Sequence, residues 1–191
     1  MTMTMIDQAI HQAARERDIA ALQSELRKGV QVDCIGKHGC TALMNAASSG
    51  CLEAVKFLVD HNAAVGKFDR DRATALHHAC YGGNSEIVAF LLDNGADVNS
   101  LTHNGESCLM LAVMSNKNCV KLLLERKADT STRATAGALK VMTALDIAKE
   151  MRKDNIVSVL QFAAAGAPPA APPAPRVEPA ARTAFADPSS A

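Results

Sequence analysis

The 191-residue chain has no tryptophan, a single tyrosine and five phenylalanines. Large rings usually supply much of the buried area of a globular core, so this interior has to be filled by aliphatic and small side chains. Proline is missing from residues 1–162, and all seven prolines lie in 163–191. Neither charge is in excess: 20 Lys+Arg face 20 Asp+Glu, divided as 18 against 18 up to residue 162 and 2 against 2 beyond it. That balance advertises no phosphate-binding surface and argues against nucleic acid as a partner. No apolar run approaches the roughly 18–20 residues of a membrane span, and Met1 to Met5 leads into a segment carrying Asp7, Arg15, Glu16 and Arg17 in place of an apolar signal core. The expectation is a soluble, intracellular protein, cytoplasmic with the nucleus as the alternative. The six cysteines (Cys34, Cys40, Cys51, Cys80, Cys108 and Cys119) show no paired spacing, and in that compartment they are reduced thiols.

What is present is periodicity. Thr41-Ala-Leu43, Thr74-Ala-Leu76, Ser107-Cys-Leu109 and Thr143-Ala-Leu145 stand 33, 33 and 36 residues apart, each with an alanine three residues after the leucine (Ala46, Ala79, Ala112, Ala148). One period upstream of Thr41 lies Gln8-Ala-Ile10, with Ala13 in the alanine slot. Recurrence at such a period marks a solenoid of stacked supersecondary units, whose interior Ala and Leu from neighbouring units can fill without large rings. The Thr or Ser hydroxyl suits the free amides of a first helical turn. A second landmark follows each apolar stretch, at Gly29-Val30, Asn62-Ala63, Gly95-Ala96 and Lys127-Ala128. Gly, and next best Asn, closes a helix in the left-handed conformation, and Lys127 is the exception. Each unit is therefore turn, short helix, loop, longer helix, stop.

The third unit extends the pattern from Asp69 through Asp-Arg-Asp-Arg-Ala-Thr-Ala-Leu-His-His-Ala to Leu91-Leu92 and Gly95-Ala-Asp-Val-Asn99. In these residues the chain resembles the ankyrin repeat family. The resemblance implies an all-α solenoid of helix-loop-helix units joined by β-turn or hairpin loops. It spans residues 5–162 as five units (about 5–33, 34–66, 67–99, 100–130 and 131–162). Departures from the family pattern are specific. Its proline is Ala42, Ala75, Cys108 and Ala144 here, which removes a pre-set φ at each helix start and should loosen the array. Its turn glycine, kept at Gly39 and Gly105, is Arg72 in the third unit. The fourth unit is one residue short between its helices (Met114-Ser-Asn-Lys117), and an insertion at Thr135 to Val141 precedes the fifth.

Residues 163–191 hold twelve alanines and no periodic apolar pattern. Such a segment has too little hydrophobic mass to offset its ordering entropy and is expected to be a disordered Ala/Pro-rich tail with local polyproline II character. Its Pro168-Pro-Ala-Ala-Pro-Pro-Ala-Pro175 run contains a P-x-x-P, which suits a domain of the SH3 or WW type or else serves as an inert extension; Phe185 is its one large apolar anchor.

Two clusters suggest a metal: Cys34, His38 and Cys40, and His77-His78 with Cys80. Neither has a C-x-x-C or a matching second pair, which a structural zinc site usually needs. The resemblance assigns His77 to hydrogen bonding with neighbouring turns, and His38 falls on a turn tip. No nucleophile and base, phosphate-cradling loop or carboxylate pair stands out: Gly82-Gly83 is an inter-helix loop, and Asp146, at the family's His position, is a helix-end or surface carboxylate. No cofactor or enzymatic activity is expected.

Surface remains. The resemblance places the partner-binding face on the turn tips and the ends of the first helices: Lys37, His38, Cys40, Ser48 and Ser49 in the second unit, Arg70, Asp71, Ala73, Tyr81 and Gly82 in the third, and His103, Asn104, Glu106, Met114 and Ser115 in the fourth. Tyr81, the only tyrosine, is the preferred anchor because Tyr presents a large rigid area with a polar end. The first unit lacks a full turn segment, and Lys149, Glu150, Arg152, Lys153 and Asp154 make the last one polar, as terminal caps must be. The leading expectation is a monomeric module that binds a protein as adaptor, inhibitor or assembly chaperone. The rival is a thiol- or zinc-dependent sensor using the Cys/His clusters.

Overall fold

The computed structural model describes residues 5–166; the P-x-x-P run and Phe185 lie outside them. The helices in chain order are α1 (Met5–Glu16), α2 (Ile19–Arg27), α3 (Ala42–Ser49), α4 (Leu52–Asp60), α5 (Ala75–Gly82), α6 (Ser85–Asp93), α7 (Cys108–Ser115), α8 (Lys117–Glu125), α9 (Ala144–Glu150) and α10 (Asp154–Gly166), with a single 3-10 turn at Lys37–Gly39 before α3. There is no multi-residue strand among the described residues; Phe68 bridges Thr74 and Leu101 bridges Ser107 as isolated antiparallel pairs at the base of two turns.

The helices form two rows. Odd-numbered helices pack on odd-numbered ones (α1 on α3, α3 on α5, α5 on α7, α7 on α9), and even-numbered helices pack, less closely, on even-numbered ones. Side-chain size accounts for the difference. The odd row meets through Ala42, Ala46, Ala75, Ala79, Cys108, Ala112, Ala144 and Ala148, all buried, and such small residues let the helices approach. The even row meets through Val55, Leu58, Val88, Leu91, Val120 and Leu123, which hold helices further apart. Closer spacing in one row curves the array toward it, so the odd helices and the turn tips line the inner face.

The expected helix starts carry their caps. Thr41, Ser107 and Thr143 accept from the backbone N–H groups of Met44, Met110 and Asp146. Three different side chains return the bond to the N–H of the cap residue: the Met44 thioether at 3.3 Å, His77 Nδ1 at 3.1 Å and the Asp146 carboxylate at 2.9 Å. This is the reciprocal capping box. Asp146 is thus a helix-end carboxylate, and the Thr143 amide and hydroxyl, helped by Arg133, hold its acid below the usual range.

The helix stops also fall where the landmarks lie. Gly29, Asn62, Gly95 and Lys127 all have positive φ, from 62° to 88°. For Lys127 that conformation is strained, because an L-residue with a Cβ loses about 1–2 kcal/mol in the left-handed region. Lys127→Gly is therefore expected to stabilise the protein by about 0.5–1 kcal/mol after allowing for the freer unfolded chain, a rise of about 1–4 °C in Tm measured by calorimetry. Arg72 is strained in the same way (φ 60°). Its guanidinium sits 5.6 Å from the Phe68 ring centre, so Arg72→Gly gives a smaller gain.

The two irregular sites are real. α3 and α5 end on left-handed Gly50 and Gly83, and a further residue, Cys51 or Asn84, starts the next helix. In the fourth unit extended Asn116 both ends α7 and starts α8, its side chain accepting from Asn118 N–H. The insertion folds into a turn closed by Ala134 N–H to Met142 O (3.1 Å) and Val141 N–H to Ala134 O (2.8 Å). α10 runs to Gly166, through Ala163-Ala-Ala165, which the periodicity assigns to the tail. Alanine is the strongest helix former, and the first proline comes only at 168.

Candidate functional site

Successive turn tips are tied to one another through the backbone. Arg70 N–H donates to His38 O (3.1 Å), His103 N–H to Asp71 O (2.8 Å) and Thr135 N–H to Asn104 O (2.7 Å). The tips thus form a continuous rim with fixed spacing, and their side chains point elsewhere: Lys37, His38, Arg70, Asp71, His103 and Asn104 are all exposed. Asp69 organises the central tip from inside. It is 8 % exposed, and its Oδ1 accepts from the backbone N–H groups of Asp71 and Ala73, both at 2.9 Å.

The remaining residues expected at the site divide by duty. Ser48, Tyr81 and Gly82 are exposed at the ends of α3 and α5, and Tyr81, 65 % exposed, makes no hydrogen bond or ring contact with a described residue. Ala73, Glu106 and Met114 are half-buried along the inner face. Ser49 and Ser115 have work within the array. Ser49 Oγ donates to Ala14 O (3.2 Å) and Ser49 O accepts from Arg17, while Ser115 Oγ donates to Cys80 O. They staple the end of one inner helix to its neighbour, which side-chain type alone does not reveal.

Both Cys/His clusters of the sequence come apart. Cys34 Sγ lies 3.7 Å from His11 Nε2, while His38 faces solvent on its tip. His77 and Cys80 are buried and His78 is not. His77 bonds the cap residue of its own helix. Its Nε2 is buried without a hydrogen bond of good geometry among the described residues, yet the Ser100 and Glu106 carbonyls of the neighbouring turn are close enough to act on the ring. Burial lowers its basicity, and the Cys108 thiol with the Glu106 and Ser100 carbonyls outweighs that and leaves it raised. Cys80 is pushed up by its hydrogen bond to Cys108 and by burial. Cys108 is pulled down against burial by Cys80, His77 and Ser100. Cys80, Cys108 and Cys119 are each 0 % exposed. A thiol sealed in the core is inert toward solutes, so this group packs the third unit on the fourth.

A different set converges. Cys40 leaves the first tip, Asp69 enters the second and His78 projects from α5. His78 Nε2 donates to Asp69 Oδ2 at 3.0 Å, and Cys40 Sγ donates to the same oxygen at 3.9 Å. The three atoms lie within 4.8 Å of one another, the one such group of three among the described residues. Burial, and then the Asp69 charge and hydrogen bond, push the Cys40 thiol up. The sequence holds each residue but not the set, because Cys40 and Asp69 are 29 positions apart.

The tips also carry an apolar row that the repeat motif does not announce. Ile35, Phe68 and Leu101, spaced by 33 residues, are 62, 60 and 40 % exposed. Phe68 and Leu101 border a shallow cleft of about 410 Å³ with Arg72, Asp97 and Asn99.

A profile of three consecutive ankyrin repeats matches residues 10–102, and a single ankyrin repeat matches residues 104–134. The chain belongs to the ankyrin repeat family. Past the last matched residue, α9 and α10 repeat the same arrangement behind Thr143. A comparison with curated proteins finds no match. Ankyrin repeats are generally protein–protein interaction modules and typically non-enzymatic. No helix among the described residues is long and apolar enough to cross a membrane.

Proposed function

We propose that this chain is a monomeric, non-enzymatic module of five repeats, divided near residues 33, 66, 99 and 130, that holds a partner protein across its inner face. Contacts come from the tips (Lys37, His38, Arg70, Asp71, His103, Asn104) and from the ends of the inner helices (Ser48, Tyr81, Gly82, Met114). The observation that carries this reading is the rim itself. Backbone hydrogen bonds fix the tips while their charged and polar side chains stay exposed beside the exposed Tyr81. A surface whose backbone is already rigid loses little entropy on association, and an exposed Tyr at its centre is the type of residue that dominates interface energies. The mixed charges of Lys37, Arg70 and Asp71 favour a partner with both signs, which suits a folded protein better than a polyanion. The module acts by masking, bridging or chaperoning that partner.

The test is recovery of partners from extract by the full chain and by a variant carrying Arg70→Ala, Asp71→Ala and Tyr81→Ala. All three positions are exposed, so the variant retains its helical circular dichroism. A partner bound by the parent is expected to bind the variant at least about tenfold more weakly, about 1.4 kcal/mol. Undiminished binding of every recovered partner by the folded variant would overturn the reading.

A further inference from the structure

We infer that Cys40, Asp69 and His78 form a zinc site between the second and third repeats, with a fourth position open toward the inner face. The donor set is one thiolate, one carboxylate and one imidazole, which are the three ligand types zinc takes, and three protein ligands with an open fourth position is an arrangement zinc adopts. Tetrahedral zinc at bond lengths of about 2.0–2.3 Å sets its ligand atoms about 3.3–3.5 Å apart. Here the imidazole nitrogen and carboxylate oxygen are 3.0 Å apart, the sulfur and that oxygen 3.9 Å, and every pair is within 4.8 Å. Small side-chain rotations close the difference.

The surroundings favour ligation. Asp69 is held by two backbone amides on Oδ1, which fixes the carboxylate and leaves Oδ2 directed at Cys40 and His78; hydrogen bonds of this kind to a ligand orient it for a metal. The Asp69 side chain is 6 % exposed and that of His78 27 %, so the group has a buried base and a solvent-facing side by which an ion can enter. Cys40 directly follows the 3-10 turn, Asp69 lies on the next turn and His78 on α5, so a bound ion joins two repeats. Zinc displaces the proton that His78 Nε2 donates to Asp69, which moves to Nδ1 of the ring or to solvent, and Cys40 binds as thiolate after releasing its proton to solvent. Cation affinity favours zinc over the hard ions magnesium and calcium, which require oxygen ligands.

The experiment is a zinc titration of the full chain, kept reduced with a phosphine, against a chromophoric chelator, with cobalt(II) as a spectroscopic stand-in. The result expected is one zinc per chain and, for cobalt, a thiolate charge-transfer band with the intense visible absorption of a four-coordinate site. Cys40→Ser and His78→Gln are each expected to weaken zinc by more than about tenfold and to abolish the cobalt spectrum. His78 is partly exposed, so His78→Gln keeps its fold and the readout is independent of any damage done by Cys40→Ser. Cys34→Ser is expected to leave both unchanged. Absence of stoichiometric zinc, or affinity unchanged in His78→Gln and Cys40→Ser, would overturn the site and leave the three residues as a hydrogen-bonded link between repeats. Partner binding through Tyr81 is read separately and does not depend on either outcome.

Discussion

Leu76→Ala is expected to destabilise the protein by about 3–4 kcal/mol and to split its unfolding into two steps. Leu76 is 0 % exposed on α5, which packs against α3 on one side and α7 on the other. Truncating a buried leucine removes its transfer energy and leaves a cavity, together about 2–5 kcal/mol. In a repeat array each unit is coupled only to its neighbours, so stability is a sum of unit and interface terms. A cavity in the central unit weakens both of its interfaces and uncouples the halves on either side. Urea denaturation followed by circular dichroism reads both effects, as a lower midpoint and as a broadened or biphasic transition. Leu101→Ala serves as the comparison: that side chain is 40 % exposed, and its removal is expected to change stability by less than about 0.5 kcal/mol. Equal losses from both would contradict the two-row packing.

Lys153→Met is expected to cost about 2 kcal/mol, concentrated in the last two repeats. Where α3 and α5 end on a left-handed glycine, α7 does not, because its unit is one residue short. Its final carbonyls are met from another unit: Lys153 Nζ donates to Val113 O at 2.9 Å and to Met114 O at 2.8 Å. A cation at a helix C-terminus faces the negative end of the peptide dipoles, and a hydrogen bond with one charged member contributes about 1.5–3 kcal/mol. Methionine keeps the apolar stem and removes the donors, so the packing of the stem is preserved. Hydrogen exchange is expected to accelerate in α9 and α10 well before it does in α3. Exposed Lys149 makes no comparable bond, and Lys149→Met should leave stability within about 0.5 kcal/mol. No loss in Lys153→Met would mean that solvent serves the α7 carbonyls equally well.

These two residues mark how far the sequence could be followed. Leu76 was legible from a motif that recurs at 33 residues, since a leucine in the same slot of each unit can only face the stack. The caps were legible for the same reason, as were the stops, even Lys127, and the missing residue of the fourth unit. Lys153 belongs in sequence to a polar terminal face, and its lysine character gives no hint that it reaches 39 residues back to Met114. Cys40, Asp69 and His78 failed to group in the sequence for a related reason. Periodicity specifies what a unit is, whereas contacts between units depend on the rotation from one repeat to the next. Local rules resolve the first and not the second, which is why the Cys/His clusters adjacent in sequence came apart and a set spread over two units formed. Ser49 and Ser115 show the same limit, because an exposed serine at a helix end and one stapling two helices look alike in sequence.

Whether the inner face holds the partner is read by a hydrogen-exchange footprint of the full chain with and without a recovered partner. Slowed exchange is expected at the tips and inner-helix ends, residues 37–49, 70–82 and 103–115, with α4, α6 and α8 unchanged. Protection confined to α4, α6 and α8, with the tips exchanging as in the free protein, would contradict it.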